Sequence, residues 1–254
     1  MPPKIMVKLE ICTASPEDCM AAQRGGADRV ELSCALMLGG LTPSVGSVRE
    51  TRALTQIPII AMIRPRSGGF CYTETEFKVM QRDAEALLAE GVDGIAFGVL
   101  TSSGSIDDAR SRQMRALAGG KQLVFHRAFD VVPDPMVALE KLIDLGVTRV
   151  MTSGQEASAY NGANNISSYI LRAAGRIEIL PAGGVNQFTV ADVLRRTGCN
   201  QVHASLTTMR HDRSVIARPQ VSFGGVLKPP EDEFTITDYE AVANLRRAFD
   251  NEAE

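Results

Sequence analysis

The sequence lacks several features that mark particular classes of protein. It has no tryptophan, only 5% aromatic residues, and 27 basic residues against 30 acidic ones. No apolar run approaches the ~20 residues of a membrane span, and the N-terminus lacks the longer apolar segment of a signal peptide. We therefore expect neither nucleic acid nor a membrane as the main partner, and we expect a cytoplasmic protein.

Cysteine is present, but not in the patterns of a disulfide-stabilised protein or a redox motif. The five cysteines are an odd number, and no two of them have C-x-x-C spacing. This usage fits reduced thiols in a reducing compartment better than a framework of disulfides.

One pattern recurs four times along the chain: a glycine that ends a predicted helix, followed at once by a short apolar strand. The copies cover residues 26–30, 91–95, 146–150 and 198–202. The intervals between them are too long for one strand–helix unit and right for two, so the repeat predicts eight strands. With the runs that lie between the copies, the predicted strands are 8–12, 29–32, 58–63, 94–97, 122–125, 149–152, 177–180 and 201–204.

Helix signals alternate with these strands. Proline follows a predicted N-cap at Ser15, Thr42 and Asp134, and residues 73–76 and 237–240 have the sequence of capping boxes. Gly25 is one of the glycines expected to end a helix in the left-handed conformation. A later helix is expected from about residue 187 to 196. The alternation predicts an α/β fold, a (β/α)8 TIM barrel of eight parallel strands, as one domain over residues 1–254. A doubly wound open sheet is disfavoured because no G-x-G-x-x-G follows the first strand.

Charged residues on the first two strands indicate a site at the barrel mouth, where this fold carries its functional groups. Glu10 and Glu31 lie on adjacent buried strands, so each requires a partner. We predict that Arg64 bridges both carboxylates and that His126 adds a group titrating near neutrality. The alternative is a structural cluster of ion pairs that fixes strand register.

Anion-binding chemistry is indicated at two further places. Arg64 and Arg66 are two apart at the end of strand three and should project the same way, although Arg64 is unavailable if it pairs with an acid. Gly183 and Gly184 follow strand seven, where many barrels bind phosphate through backbone amides, and Ser205 after strand eight adds a hydroxyl. The alternative is that the two glycines only allow a tight turn and bind no anion.

The cysteines are the last group of candidate site residues, because their thiolates can bind a metal. Cys12 and Cys34 end neighbouring strands, and Cys71 lies in the loop after strand three. Thiolates favour Cu(I) or zinc, and His126 and His203 offer nitrogen ligands. The alternative is that these cysteines are small buried apolar residues.

These stretches resemble the CutC family of copper-homeostasis proteins from about residue 8 onward. The resemblance is carried by Leu9-Glu10-Ile11-Cys12, Met62-Ile63-Arg64-Pro65-Arg66, Phe125-His126-Arg127-Ala128-Phe129-Asp130 and His203-Ala204-Ser205, among others. It implies a TIM barrel, a homo-oligomer (dimer or tetramer), a role in copper tolerance and binding of Cu(I) by cysteine.

The resemblance also implies which residues form the functional face. It adds Arg127 and Asp130 to the residues considered above, and it includes His203. The chain departs from the family pattern in three places: Ser33 stands in the usual cysteine position with Cys34 after it, Gly69 replaces a loop acid, and Ala182 replaces a glycine.

Two functions follow from the sequence. The first, which the resemblance implies, is copper homeostasis, with Cu(I) held by Cys12 together with Cys34 or Cys71. The second is an enzyme acting on a small anionic or phosphorylated metabolite, in which the acids and His126 exchange protons and the arginines and glycines hold the anion. In that case the catalytic group is Glu10, Glu31, His126 and Asp130, and the anion-binding group is Arg64, Arg66, Arg127, Gly183, Gly184, His203 and Ser205.

Overall fold

Eight parallel strands form the central sheet of the protein. The structure, a computed structural model, describes residues 7–224 and 230–251, so the predicted absence of a signal peptide concerns residues outside the described part. The ladder runs β7-β6-β5-β4-β3-β2-β1-β8, and β7 and β8 at its two ends contact each other, which nearly closes the barrel. The strands are β1 Lys8–Thr13, β2 Arg29–Leu32, β3 Ile59–Met62, β4 Gly94–Phe97, β5 Gln122–Phe125, β6 Arg149–Thr152, β7 Glu178–Pro181 and β8 Gln201–Ala204.

Eight helices surround this sheet, one after each strand. None of the helices within the described ranges is long and apolar enough to cross a membrane. The predicted (β/α)8 barrel is confirmed. The helices are α1 Pro16–Arg24, α2 Val45–Leu54, α3 Glu74–Ala89, α4 Asp108–Ala118, α5 Pro135–Asp144, α6 Ala163–Ala173, α7 Val190–Thr197 and α8 Tyr239–Asn251.

Several helix starts form as local sequence chemistry predicts. Ser15 accepts a hydrogen bond from the Asp18 amide, and Asp134 caps α5. Thr73 and Glu76 form a complete capping box at α3. In each case a short polar side chain satisfies amides that have no partner within the helix.

Four other predicted helix boundaries, at the starts or the ends of helices, are wrong. Ser44, not Thr42, caps α2, because the Thr42 hydroxyl instead accepts from the Arg64 amide. Thr237 ends a strand, and the Asp238 side chain accepts from an amide in the first turn of α8. At the end of α1 the left-handed residue is Gly26, with φ of 89°, rather than Gly25. Helix α7 begins at Val190, after a turn built on the Asn186 side chain.

An antiparallel hairpin between β8 and α8 is absent from the sequence prediction. It pairs β9, Thr207–His211, with β10, Glu233–Thr237. Every residue of β9 is exposed, so the strand has none of the apolar alternation that identifies a half-buried strand.

The barrel interior has an apolar part and a charged part. Side chains alternate along a strand, so Leu9 and Ile11 of β1 pack against the helices while Glu10 points inward. Strands β3 to β7 fill their side of the interior with Ile60, Met62, Ala96, Val124, Met151, Leu180 and Ala182. Strands β1, β2 and β8 contribute buried polar residues to the interior, namely Glu10, Arg29, Glu31, Gln201 and His203, and Arg149 of β6 lies beside them, 3.9 Å from Glu10.

Candidate functional site at the barrel mouth

A cavity of about 350 Å³ opens at the C-terminal ends of the strands. Its walls combine polar groups with apolar side chains such as Met62 and Phe70. Nine of the predicted site residues line it: Cys12, Glu31, Arg64, His126, Arg127, Gly183, Gly184, His203 and Ser205. The other five, Glu10, Arg66, Asp130, Cys34 and Cys71, lie outside this lining.

Cys12, Glu31 and His203 form a compact group at the cavity wall, which we call the CEH cluster. One ligand atom from each residue lies within 4.8 Å of the others. Cys12 and Glu31 are paired across β1 and β2, and His203 stands on β8, the other neighbour of β1. The Glu31 Oε2 atom is 3.9 Å from the Cys12 sulfur and 4.0 Å from His203 Nε2.

Below the CEH cluster, Glu10 joins two cations inside the barrel. It is ion-paired with Arg29, and its Oε1 atom lies 2.8 Å from His203 Nδ1. Burial alone would raise the pKa of Glu10, but the charges of Arg29 and His203 hold it well below its ordinary value. Glu10 therefore stays ionised in a buried ion pair, away from the cavity.

The other acidic and thiol groups respond differently to burial. Burial raises the pKa of Glu31 to about 7, against the opposing charge of His203. Burial also raises the pKa of the Cys12 thiol. For His203, burial is outweighed by polar contacts with Cys12 and Glu10 and by the Glu31 charge, which together raise its pKa well above the usual value. The CEH cluster thus carries an imidazolium beside a carboxyl that ionises near neutral pH.

The predicted Arg64 bridge between Glu10 and Glu31 is wrong. Arg64 lies beyond the end of β3, and its guanidinium donates to four backbone carbonyls, those of Leu38, Gly39, Gly40 and Gly68, at 2.9 to 3.2 Å. These carbonyls belong to the loops after β2 and β3. Arg29 is the cation that pairs with Glu10 instead. The sequence could have indicated this, because Arg29 lies two positions before Glu31 on the same buried strand and therefore points to the same side.

His126 does not titrate near neutrality, contrary to the prediction. Its ring is buried, and burial together with the Arg64 charge lowers its pKa to about 3. The Nδ1 atom accepts a hydrogen bond of 3.1 Å from the Ala128 amide. Nε2 is buried and has no hydrogen-bond partner within residues 7–224 and 230–251.

Arg66 and Arg64 do not project together, because β3 ends at Met62 and both lie in the following loop. Arg66 forms an ion pair with Glu76 and stacks on the ring of Tyr72, 4.8 Å from its centroid. Its charge is therefore used in anchoring the loop to α3, outside the cavity.

Asp130 and Arg127 hold two loops together. Asp130 accepts hydrogen bonds from Arg127 Nε at 2.8 Å, from Thr152 Oγ1 at 2.5 Å and from the Ser153 amide at 3.0 Å. These contacts fix the turn after β5 to the end of β6. Arg127 also faces the cavity beside Gly183, whereas Asp130 is occupied with these internal contacts.

Two of the three predicted cysteine ligands lie away from the CEH cluster. The Cys34 thiol donates to the Thr42 carbonyl at 3.2 Å, because Cys34 sits in a bridge with Leu41 rather than on the inward face. Cys71 is exposed in the loop after β3. Ser33 is buried, and its hydroxyl contacts the Thr13 carbonyl at 3.3 Å.

The fold and the cavity together define a (β/α)8-barrel protein with a thiol, a carboxyl and an imidazole gathered at its mouth. Residues 7–208 match the model of the CutC family, and the chain belongs to this family. It is 43% identical to family protein CutC of Treponema denticola, over 96% of this chain and 99% of the relative. It is also 38% identical to the human copper homeostasis protein cutC homolog, over 96% and 89% of the two chains.

A solved structure agrees with this assignment. The crystal structure of a candidate copper homeostasis protein CutC from Streptococcus agalactiae has a TM-score of 0.75 and 32% identity. The match covers 78% of this chain and 98% of that one.

Proposed function

We propose that the protein acts in copper homeostasis and binds Cu(I) as cargo at the CEH cluster. The observation that carries the proposal is the convergence of a thiol, a carboxylate oxygen and an imidazole nitrogen within 4.8 Å. Relatives named for copper homeostasis support the same assignment. Sulfur and imidazole nitrogen are the ligands that copper prefers among those a protein offers.

The donor set has room for a metal. The Glu31 Oε1 atom is buried without a hydrogen-bond partner in the described part of the chain, so it offers a free acceptor. Cys12 is half-buried at the cavity wall, which leaves a route from solvent. Since the ligands are a thiolate and a neutral imidazole nitrogen, and the pKa values of Cys12 and His203 are both raised, binding must release the thiol proton and one proton of the His203 ring.

The geometry favours one thiolate, that of Cys12, rather than Cys12 together with Cys34 or Cys71 as the sequence predicts. Cys34 and Cys71 are held elsewhere, so the proposed ligands are Cys12, His203 and Glu31. A site with one sulfur holds Cu(I) less tightly than a site with several, which suits a protein that exchanges the metal.

The test is a titration of the reduced protein with Cu(I) against a competing chelator, under anaerobic conditions. We expect Cys12→Ser to weaken binding by more than ~100-fold, above the loss seen when a residue that only orients a metal ligand is removed. Cys71→Ser is the matched control, because Cys71 is exposed and outside the CEH cluster; it should bind like the wild type. Equal and weak uptake by the wild type and Cys12→Ser would reject the proposal.

The cellular compartment and the oligomeric state are also part of the proposal. The five cysteines are free thiols, which supports a reducing, cytoplasmic environment. The resemblance to the family supports a homo-oligomer, a dimer or tetramer, which sedimentation equilibrium would measure directly.

A further inference from the structure

We propose that the barrel mouth also binds a small phosphorylated organic molecule, with its phosphoryl group between Arg127 and the turn at residues 183–185. The site lies beside the CEH cluster and has its own wall, formed by the ends of β3, β5 and β7. The proposal depends on unsatisfied donors, on an uncompensated charge and on the size of the cavity.

Two cavity-lining residues, His126 and Arg64, have a buried hydrogen-bond donor without a partner in the described chain, whereas Glu31 Oε1 is the unpartnered acceptor of the CEH cluster. His126 Nδ1 accepts from the Ala128 amide, so the proton of the neutral ring is on Nε2, which makes Nε2 a donor. Arg64 Nε is a donor by nature, and both atoms are buried and unpartnered within the described residues. Both side chains are more than nine-tenths buried and line the cavity. A ligand that satisfies them must present acceptor oxygens.

The turn after β7 adds backbone donors to the same cavity. The amides of Gly183, Gly184 and Val185 donate to no acceptor in the part of the protein that the structure describes. Gly183 and Gly184 have φ of 94° and 71°, a conformation that favours glycine. The three residues line the cavity, and successive backbone amides in such a turn can form a concave anion-binding site.

The charge of Arg64 also favours an anion, whereas that of Arg127 is shared with Asp130. Arg64 is 8% exposed, and its four hydrogen bonds go to carbonyl oxygens, so no carboxylate of the described chain neutralises it. A buried charge without a counter-charge is costly, and a ligand anion would supply what is missing. Arg127 lies on the other wall, with Nη1 3.4 Å from where a Cβ on Gly183 would stand.

The size of the cavity indicates an organic ligand rather than a lone ion. Its volume of about 350 Å³ falls in the range of small-molecule sites and far exceeds one water or one phosphate. Leu36, Met62, Phe70 and Met151 supply apolar walls for the carbon part of the ligand. Apolar walls with a few converging donors are typical of a metabolite site.

The experiment is an NMR titration of the copper-free protein with inorganic phosphate, with acetate as a parallel arm. We expect saturable shifts of the amides of Gly183, Gly184 and Val185 with phosphate, and much weaker effects with acetate at the same concentration. Arg127→Gln should raise the dissociation constant about tenfold or more, since it removes a charge-assisted contact. Arg66→Gln is the control, because Arg66 lies outside the cavity, and it should leave the titration unchanged.

The outcomes are separate from those of the copper proposal. The phosphate titration uses the copper-free wild type, so a failure of the copper titration leaves this inference standing. Absence of saturable shifts at residues 183–185 in the wild type would overturn it, whether or not Arg127→Gln folds. An equal response to acetate, or equal weakening by Arg66→Gln, would show only general attraction of anions and would also overturn it.

Discussion

His126 and His203 have the same side chain near the same barrel rim, but their surroundings give them opposite protonation. His203 contacts two carboxylates, Glu10 and Glu31, which favour its charged form. His126 is buried beside Arg64, which favours its neutral form. The sequence identified both residues as site candidates but not this difference, because the long side chain of Arg64 reaches loop carbonyls that the strand pattern does not specify.

The neutral state of His126 makes stability depend on pH. The unfolded chain binds a proton at this ring near its ordinary pKa of 6.5, whereas the native protein binds it only near 3. As the pH falls below 6.5, the unfolded state gains protons first, so the native state loses up to about 1.4 kcal/mol per pH unit from this residue.

The check is urea denaturation of the wild type and His126→Asn between pH 6.5 and 4. Asparagine retains an acceptor for the Ala128 amide but does not titrate, so its stability should fall less steeply with acidification. Comparing the two proteins removes the contribution of the carboxylates they share. Parallel curves over this interval would contradict the prediction.

At the scale of elements, the sequence predicts the barrel strands well because each is a short buried run bounded by turn residues. Five strands, β2, β4, β5, β6 and β8, have the predicted bounds; β1 differs by one residue at its C-terminal end, and β3 and β7 differ by one residue at both ends. The errors occur where tertiary contacts decide. Thr42 binds the Arg64 amide instead of capping α2, and the exposed hairpin β9–β10 carries no periodic apolar signal.

The capping box of α3 gives a test at this scale. Thr73→Ala removes the side-chain acceptor for the Glu76 amide and should lower the free energy of unfolding by about 1 kcal/mol. Thr73→Ser retains the hydroxyl and should stay within a few tenths of the wild type. Thermal or urea unfolding measures both, and an equal loss in the two variants would mean that the methyl group, not the cap, stabilises this helix start.

For the whole molecule, the main feature is the charged side of the barrel interior. Arg29, Gln201, Glu178 and Arg149 form a hydrogen-bonded network across β2, β6, β7 and β8, and Glu10 joins it from β1. The sequence predicted buried acids on β1 and β2, and the barrel topology explains why β8 brings His203 beside them. The sequence did not identify Arg29 as the partner of Glu10, because the strand pattern places both Arg29 and Arg64 within reach of the barrel interior.

This network should make the fold sensitive to loss of a single carboxylate. Glu10→Gln keeps the shape of the side chain but leaves Arg29 without its buried ion-pair partner and His203 with Glu31 alone, and we expect a loss of about 3 kcal/mol or more. Glu178→Gln makes the same chemical change in a half-exposed carboxylate that pairs with Arg149, and it should cost about 1 kcal/mol or less. Urea unfolding of the two variants compares them. Similar losses would mean that burial of the ion pair does not govern its contribution.

The CEH cluster draws its members from the two extremes of the chain. Cys12 and Glu31 belong to the first two strands, whereas His203 pairs with Glu10 across 193 residues. A chain growing on the ribosome therefore exposes the thiol and the carboxyl long before the imidazole is synthesised. The three groups meet only when the last barrel strand docks beside the first, so truncated or nascent chains lack the complete cluster.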